Sequence, residues 1–124
     1  MSTVWVVEDN DLNFELVEYL LGEAGWSIAR ARDAAEFDVL LAHDSPRLVL
    51  LDMNLPEISG LELLAQLRAS PRHAAVPVVA LTAHAMQADR QRFLDAGCDA
   101  YVPKPIDRRQ LFAEIAAVLE RAGA

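Results

Sequence analysis

Residues 48–60 read LVLLDMNLPEISG, and the order in which their chemistry changes decides the fold. Leu48 to Leu51 are apolar without polar alternation, the pattern of a strand covered on both faces. Asp52 ends the run, Pro56 marks a turn, and Ser59 with Glu62 has the spacing of a helix N-terminus ahead of Leu63, Leu64 and Leu67. A buried strand that passes through a loop into an amphipathic helix is a piece of a βαβ architecture, so the flanking sequence should repeat it.

The repetition is present on both sides. Val4 to Val7 and Val78 to Leu81 are further unbroken apolar runs, whereas Trp26 to Arg30 and Asp99 to Val102 alternate apolar and polar residues as half-exposed edge strands do. Between them lie helical stripes. Phe14, Val17 and Leu21, joined by Leu20 and Ala24, run up to Gly25 as a C-terminal stop. Asp33 with Glu36 precedes Phe37, Leu40 and Leu41; Phe93 and Leu94 run up to Gly97. Asp107 with Gln110 opens a last helix with an inner stripe of Leu111, Ile115 and Val118, ending near Arg121. Strict alternation predicts an α/β fold, a doubly wound five-stranded parallel sheet with right-handed crossovers. Weak runs in the second and fifth strands place those strands at the edges, which gives the order 2-1-3-4-5. With no internal repeat, low-complexity segment or linker, residues 1–124 are expected to form one domain with no room for an effector domain.

Composition narrows the function. The chain has 124 residues, 53% of them hydrophobic and 24% charged, enough apolar material to bury a core and too little charge for intrinsic disorder. A net charge of −8 repels phosphate backbones and anionic lipid, which disfavours direct nucleic-acid binding. Cys98 has no partner for an internal disulfide, and with His43, His73 and His84 it lacks the spacing of a zinc site, which fits a reducing cytoplasm. No basic leader opens the chain, and no apolar run approaches the roughly 18 residues a bilayer needs, so no export or membrane insertion is expected.

In open parallel sheets, ligands bind at the carboxyl ends of the strands near the point where strand order reverses, here between strands one and three. Strand one ends in Glu8 and Asp9, strand three in Asp52, strand four in Thr82, and strand five runs into Lys104 and Pro105. Singly, each has a plainer role: Glu8, Asp9 and Asn10 as helix caps, Asp52 and Asn54 as loop residues, Thr82 as a strand former, Lys104 as a solvated cation. Together they bring three carboxylates, a hydroxyl and an ammonium to one rim. Clustered carboxylates repel one another and call for a cation. Mg²⁺ suits the set, since it takes one or two carboxylates and a phosphate oxygen while keeping waters, whereas calcium loops need denser ligands. A carboxylate could then attack phosphorus, with Lys104 and Thr82 contacting the phosphoryl oxygens.

With these motifs in view, the chain resembles the receiver domains of two-component response regulators, the CheY-like superfamily of flavodoxin-like (βα)5 folds, across nearly its whole length. The resemblance rests on VVEDN at 6–10, LLDMNLPEISG at 50–60 with Pro56 and Gly60, ALTAHAM at 80–86, and YVPKPI at 101–106. It implies that Asp52 is the phosphorylated residue, that Glu8, Asp9, Asp52 and the Asn54 backbone carbonyl hold Mg²⁺, with Mn²⁺ as a substitute, and that Thr82 and Lys104 contact the phosphoryl group. It further implies Tyr101 as a switch aromatic and a cis peptide before Pro105. The phosphoryl donor would be a sensor histidine kinase or a histidine phosphotransfer protein. Output would pass through helix four, strand five and helix five, with Met86, Arg90 and Arg108 as contacts, and slow self-hydrolysis would end the signal. EDNDLN and LTAHAM are similar both to stand-alone DivK-type regulators and to hybrid-kinase receivers.

The remaining residues of note have ordinary readings. His84, two positions after Thr82, is either a modulator of phosphoryl lifetime or a loop histidine; Trp5 and Trp26 read as packing residues, and Cys98 as a small buried one. Three other functions fit these residues less well. A phosphohydrolase of the haloacid-dehalogenase type needs a second acid where Asn54 stands, because an amide cannot protonate a leaving group. A receiver that is a pure interaction module would not keep every site residue. A nucleotide- or flavin-binding fold needs a Gly-rich loop that EDNDL lacks.

Overall fold

A computed structural model of the chain describes residues 3–83 and 87–123. Its elements alternate without exception: β1 (Thr3–Val7), α1 (Asp11–Glu23), β2 (Ser27–Ala31), α2 (Ala34–His43), β3 (Leu48–Asp52), α3 (Gly60–Ala69), β4 (Val78–Thr82), α4 (Gln87–Ala96), β5 (Ala100–Pro103) and α5 (Arg108–Gly123). The strands form one parallel sheet in the order β2-β1-β3-β4-β5, as the edge patterns predict.

The period of two along each strand divides the core between the two faces of the sheet. Trp5, Val7, Val49, Leu51, Val78 and Ala80 point to one face, where Phe37 of α2, Leu63, Leu64 and Leu67 of α3 and Phe93 of α4 cover them. Val4, Val6, Leu48, Leu50, Val79 and Leu81 point to the other, beneath Phe14, Val17, Leu20 and Leu21 of α1 and Leu111, Ile115 and Val118 of α5. Both edge strands are less buried than the three central ones.

Element ends follow local chemistry. Gly25, after the Ala24 cap of α1, and Gly97, directly after α4, take positive φ values of 91° and 116°, a conformation that costs glycine nothing. Asp33 caps α2 by accepting from the Glu36 amide at 2.9 Å, while the Glu36 carboxylate reaches back to the amide of Arg32 at 2.7 Å. At α3 the Ser59 hydroxyl accepts from Leu61 at 3.1 Å. Trp26 falls outside β2 because its N–H closes α1 onto the Leu21 carbonyl at 3.1 Å. The Lys104–Pro105 peptide is cis.

Asp52 and Thr82 are the last residues of β3 and β4, the strand ends at which the rim reading of the sequence sets them. Ladder bonds explain it: Met53 donates to Leu81 at 2.9 Å and Lys104 to the Thr82 carbonyl at 2.7 Å. Polar side chains are thereby held by sheet geometry.

Candidate functional site

The acidic pair follows β1. Glu8 continues the sheet by donating its amide to the Ala31 carbonyl at 3.0 Å, and its side chain is fully buried; Asp9 is exposed. Of the three residues that could have capped α1, only Asn10 does so, its Oδ1 accepting from the Asn13 amide at 2.9 Å. The Glu8 and Asp9 carboxylates are thus left for the site. Together with buried Asp52 they present oxygens that all lie within 4.8 Å of one another.

Lys104 supplies the first counter-charge. Its Nζ sits 2.9 Å from Glu8 Oε1 and 3.2 Å from Asp52 Oδ2, with only 16% of the side chain exposed. A lysine that could have been simply solvated is instead the cation between two buried carboxylates. Burial alone would lower its pKa; contact with Glu8 and Asp52 outweighs burial and raises it, so it is charged at neutral pH. Glu8 responds in the opposite sense. Burial and the neighbouring Asp52 push its carboxyl from an ordinary 4.5 to about 7, against the pull of Lys104. Glu8 Oε1 meets the ammonium charge without a well-directed hydrogen bond, so one ammonium does not satisfy the carboxylates it faces.

The loop after β3 completes the rim. The Asn54 amide N–H donates to Asp52 Oδ1 at 2.9 Å, which leaves Asp52 held at one oxygen by backbone and at the other by Lys104. The Asn54 side chain reaches the end of β4: its Oδ1 accepts from the Thr82 hydroxyl at 3.4 Å and from the Ala83 amide at 3.2 Å. Gly60 is required by close approach, because a Cβ there would lie 2.6 Å from Met53 Cα and 2.8 Å from the Asp52 carbonyl.

Glu8, Asp9, Asn54, Asp52, Thr82 and Lys104 therefore gather at one end of the sheet. Tyr101 stands apart from this polar group. It is half-buried in the apolar layer of α2, α3 and α4, with the Arg90 guanidinium 4.9 Å from its ring centroid. Arg108 is exposed, 5.9 Å from the Phe112 centroid, and His84 and Met86 lie outside the described residues. His73 is buried at Asp44 and Ser70, its ring nitrogens 2.7 Å from the Asp44 carbonyl and from Ser70 Oγ. Cys98 is buried, which pushes its thiol up to about 12 and leaves no reactive thiolate.

One residue at the rim was not anticipated. Arg30 of β2 donates from Nε and Nη2 to the Glu8 carbonyl at 3.1 and 3.0 Å and pairs with Asp11 at 2.9 Å. The available sequence signal was faint, a single cation within an edge strand between two alanines.

A family model described as the response regulator receiver domain matches residues 4–116. The polar-differentiation response regulator DivK of Brucella anthropi is 40% identical over 105 residues, which are 85% of each chain. The receiver domain of a sensor histidine kinase from Pseudomonas aeruginosa, solved with magnesium coordinated in its active site cleft, is 31% identical, with a TM-score of 0.82 over 99% of this chain and 98% of that one. A two-component response regulator from Clostridium difficile has the same fold at 22% identity, with a TM-score of 0.90 and full coverage of both chains. The chain belongs to the response regulator receiver domains of two-component systems and is DivK-like.

Proposed function

We propose that the chain is a phosphoacceptor switch that takes a phosphoryl group from a phosphohistidine onto Asp52. The observation that carries this reading is the gathering of three carboxylates at the switch point of the sheet, two of them paired with the Lys104 ammonium. An Asp52 oxygen attacks phosphorus; the P–O bond forms as the P–N bond breaks, and the electron pair leaves on the imidazole nitrogen, which takes up a proton. Lys104 compensates charge on the phosphoryl oxygens, and the Asn54 amide fixes the Asp52 carboxylate. The Thr82 hydroxyl and the Ala83 N–H, now directed to Asn54 Oδ1, are the donors placed to receive a phosphoryl oxygen.

The donor set fits a hard divalent ion, because the oxygens converge and Lys104 alone leaves Glu8 Oε1 imperfectly satisfied. Glu8, Asp9, Asp52 and the Asn54 carbonyl would hold Mg²⁺, or Mn²⁺ in its place. When bound, the ion supplies positive charge to the carboxylates and the phosphoryl group.

The donor is a sensor histidine kinase or a histidine phosphotransfer protein, and a downstream protein reads the face of α4, β5 and α5, where Arg90 packs on Tyr101. We read residues 1–124 as one receiver domain working in the cytoplasm; no helix among the described residues is long and apolar enough to cross a membrane. Acetyl phosphate with Mg²⁺ tests the reading. One hydroxylamine-labile phosphoryl group should appear in the intact mass and vanish in Asp52→Asn; equal phosphorylation of the variant would overturn it.

A further inference from the structure

The side chain of Arg30 is only 14% exposed and spends its donors in an uncommon way. Nε and Nη2 fork onto the Glu8 carbonyl, and Nη2 also lies 3.4 Å from the Asp9 carbonyl. The same nitrogen pairs with Asp11 Oδ1 at 2.9 Å, and the guanidinium carbon stands 4.3 Å from the Phe14 ring centroid. A surface ion pair needs only Asp11, and cation–π packing needs only Phe14. Bonds to two successive carbonyls serve neither purpose. Those carbonyls define the peptide planes that follow Glu8 and Asp9, and these planes set the directions in which both carboxylates leave the backbone.

We propose that Arg30 is a positioning residue for the acidic pair, holding the Glu8–Asp9 backbone so that both carboxylates face Asp52 before a cation arrives. The proposal rests on the reading of Glu8, Asp9 and Asp52 as the Mg²⁺ site. Arg30 acts at one remove, as outer-shell partners of metal ligands do. Its geometry is what matters: a planar fork can bind one carbonyl twice and reach a second, whereas a lysine of equal charge offers a single compact ammonium. Charge works the other way, since removing a cation beside an acidic site favours Mg²⁺ electrostatically.

The experiment is a Mg²⁺ titration followed by amide NMR on wild type, Arg30→Lys and Arg30→Gln, with melting and amide exchange measured in EDTA. Both variants should bind Mg²⁺ about tenfold more weakly, the lower end of what losing an outer-shell partner costs. In EDTA the Asn10 N–H, which donates to Glu8 Oε2 at 3.3 Å, should exchange faster than in wild type. Wild-type affinity in either folded variant, or failure of both to fold, would overturn the proposal and leave Arg30 a structural tie between β2 and α1. Asp9→Asn and Asp52→Asn separate the two readings: if they also bind Mg²⁺ like wild type, the site assignment is wrong; if they bind weakly while Arg30→Lys does not, only the role of Arg30 is.

Discussion

Glu8 carries the electrostatic tension of the site, because it is fully buried and faces both Asp52 and Lys104. Burial first, and then Asp52, raises its carboxyl to about 7, so the metal-free fold prefers the neutral form more than the unfolded chain does. A raised folded-state pKa gives stability that is fully present below about 4.5 and lost as pH climbs through about 7. Glu8→Gln, which mimics the neutral form, should therefore melt above wild type in EDTA at pH 8, and the gap should close toward pH 5. A variant that melts below wild type at pH 8 would show that the Lys104 pair outweighs desolvation. This balance was hidden in the sequence. VVEDN shows an acidic pair at a strand end, but Lys104 becomes its partner only once β5 lies three places from β1 in the sheet. Arg30 was hidden for the same reason, since it meets the Glu8 carbonyl across a strand pair 22 residues apart.

At the scale of elements, the first turn of α3 shows how a helix start can be set by the site. Gly60 opens the helix and its amide lies 3.4 Å from the Met53 carbonyl, closing the loop that follows Asp52. In an open helix, Gly→Ala is stabilising. Here the added methyl would meet backbone at 2.6 and 2.8 Å. Gly60→Ala should cost about 1–3 kcal/mol, the range for overpacking a filled space, and should shift the amides of Asp52 to Asn54 in two-dimensional spectra; unchanged melting would mean that the loop yields freely. The element pattern itself was legible, because unbroken apolar runs mark strands covered on both sides and alternation marks edges. Strand ends were less so. Pro103 extends β5 beyond Val102, in register with Thr82, through a neighbour that no local pattern encodes. Asp99 stands just before β5, with its amide and carboxylate both bonded to Val78.

Across the whole molecule, the proposed signal from Asp52 has a polar route outward among the described residues. Asn54 Oδ1 holds the Thr82 hydroxyl and the Ala83 N–H at the end of β4, so a phosphoryl group on Asp52 that takes those donors must release them from Asn54. The connection from β4 leads directly to α4, where Arg90 lies over the Tyr101 ring of β5. Tyr101 pairs in register with Ala80 and packs into the same layer as Phe93, so a move at the β4 end alters the wall against which the ring rests. A partner must bind the two arrangements unequally for this to be a switch, and the surface we propose to differ is that of α4, β5 and α5. Beryllofluoride with Mg²⁺, as a phosphoryl stand-in, makes the route measurable. Amide shifts should extend from Asp52 and Ala83 along α4 to Tyr101, and should shrink beyond β4 in Thr82→Ala, which loses the hydroxyl but keeps the Ala83 amide. Shifts confined to the loops after β1 and β3, or equal in the variant, would mean that phosphorylation is read at the rim itself and that the Arg90–Tyr101 contact is only packing.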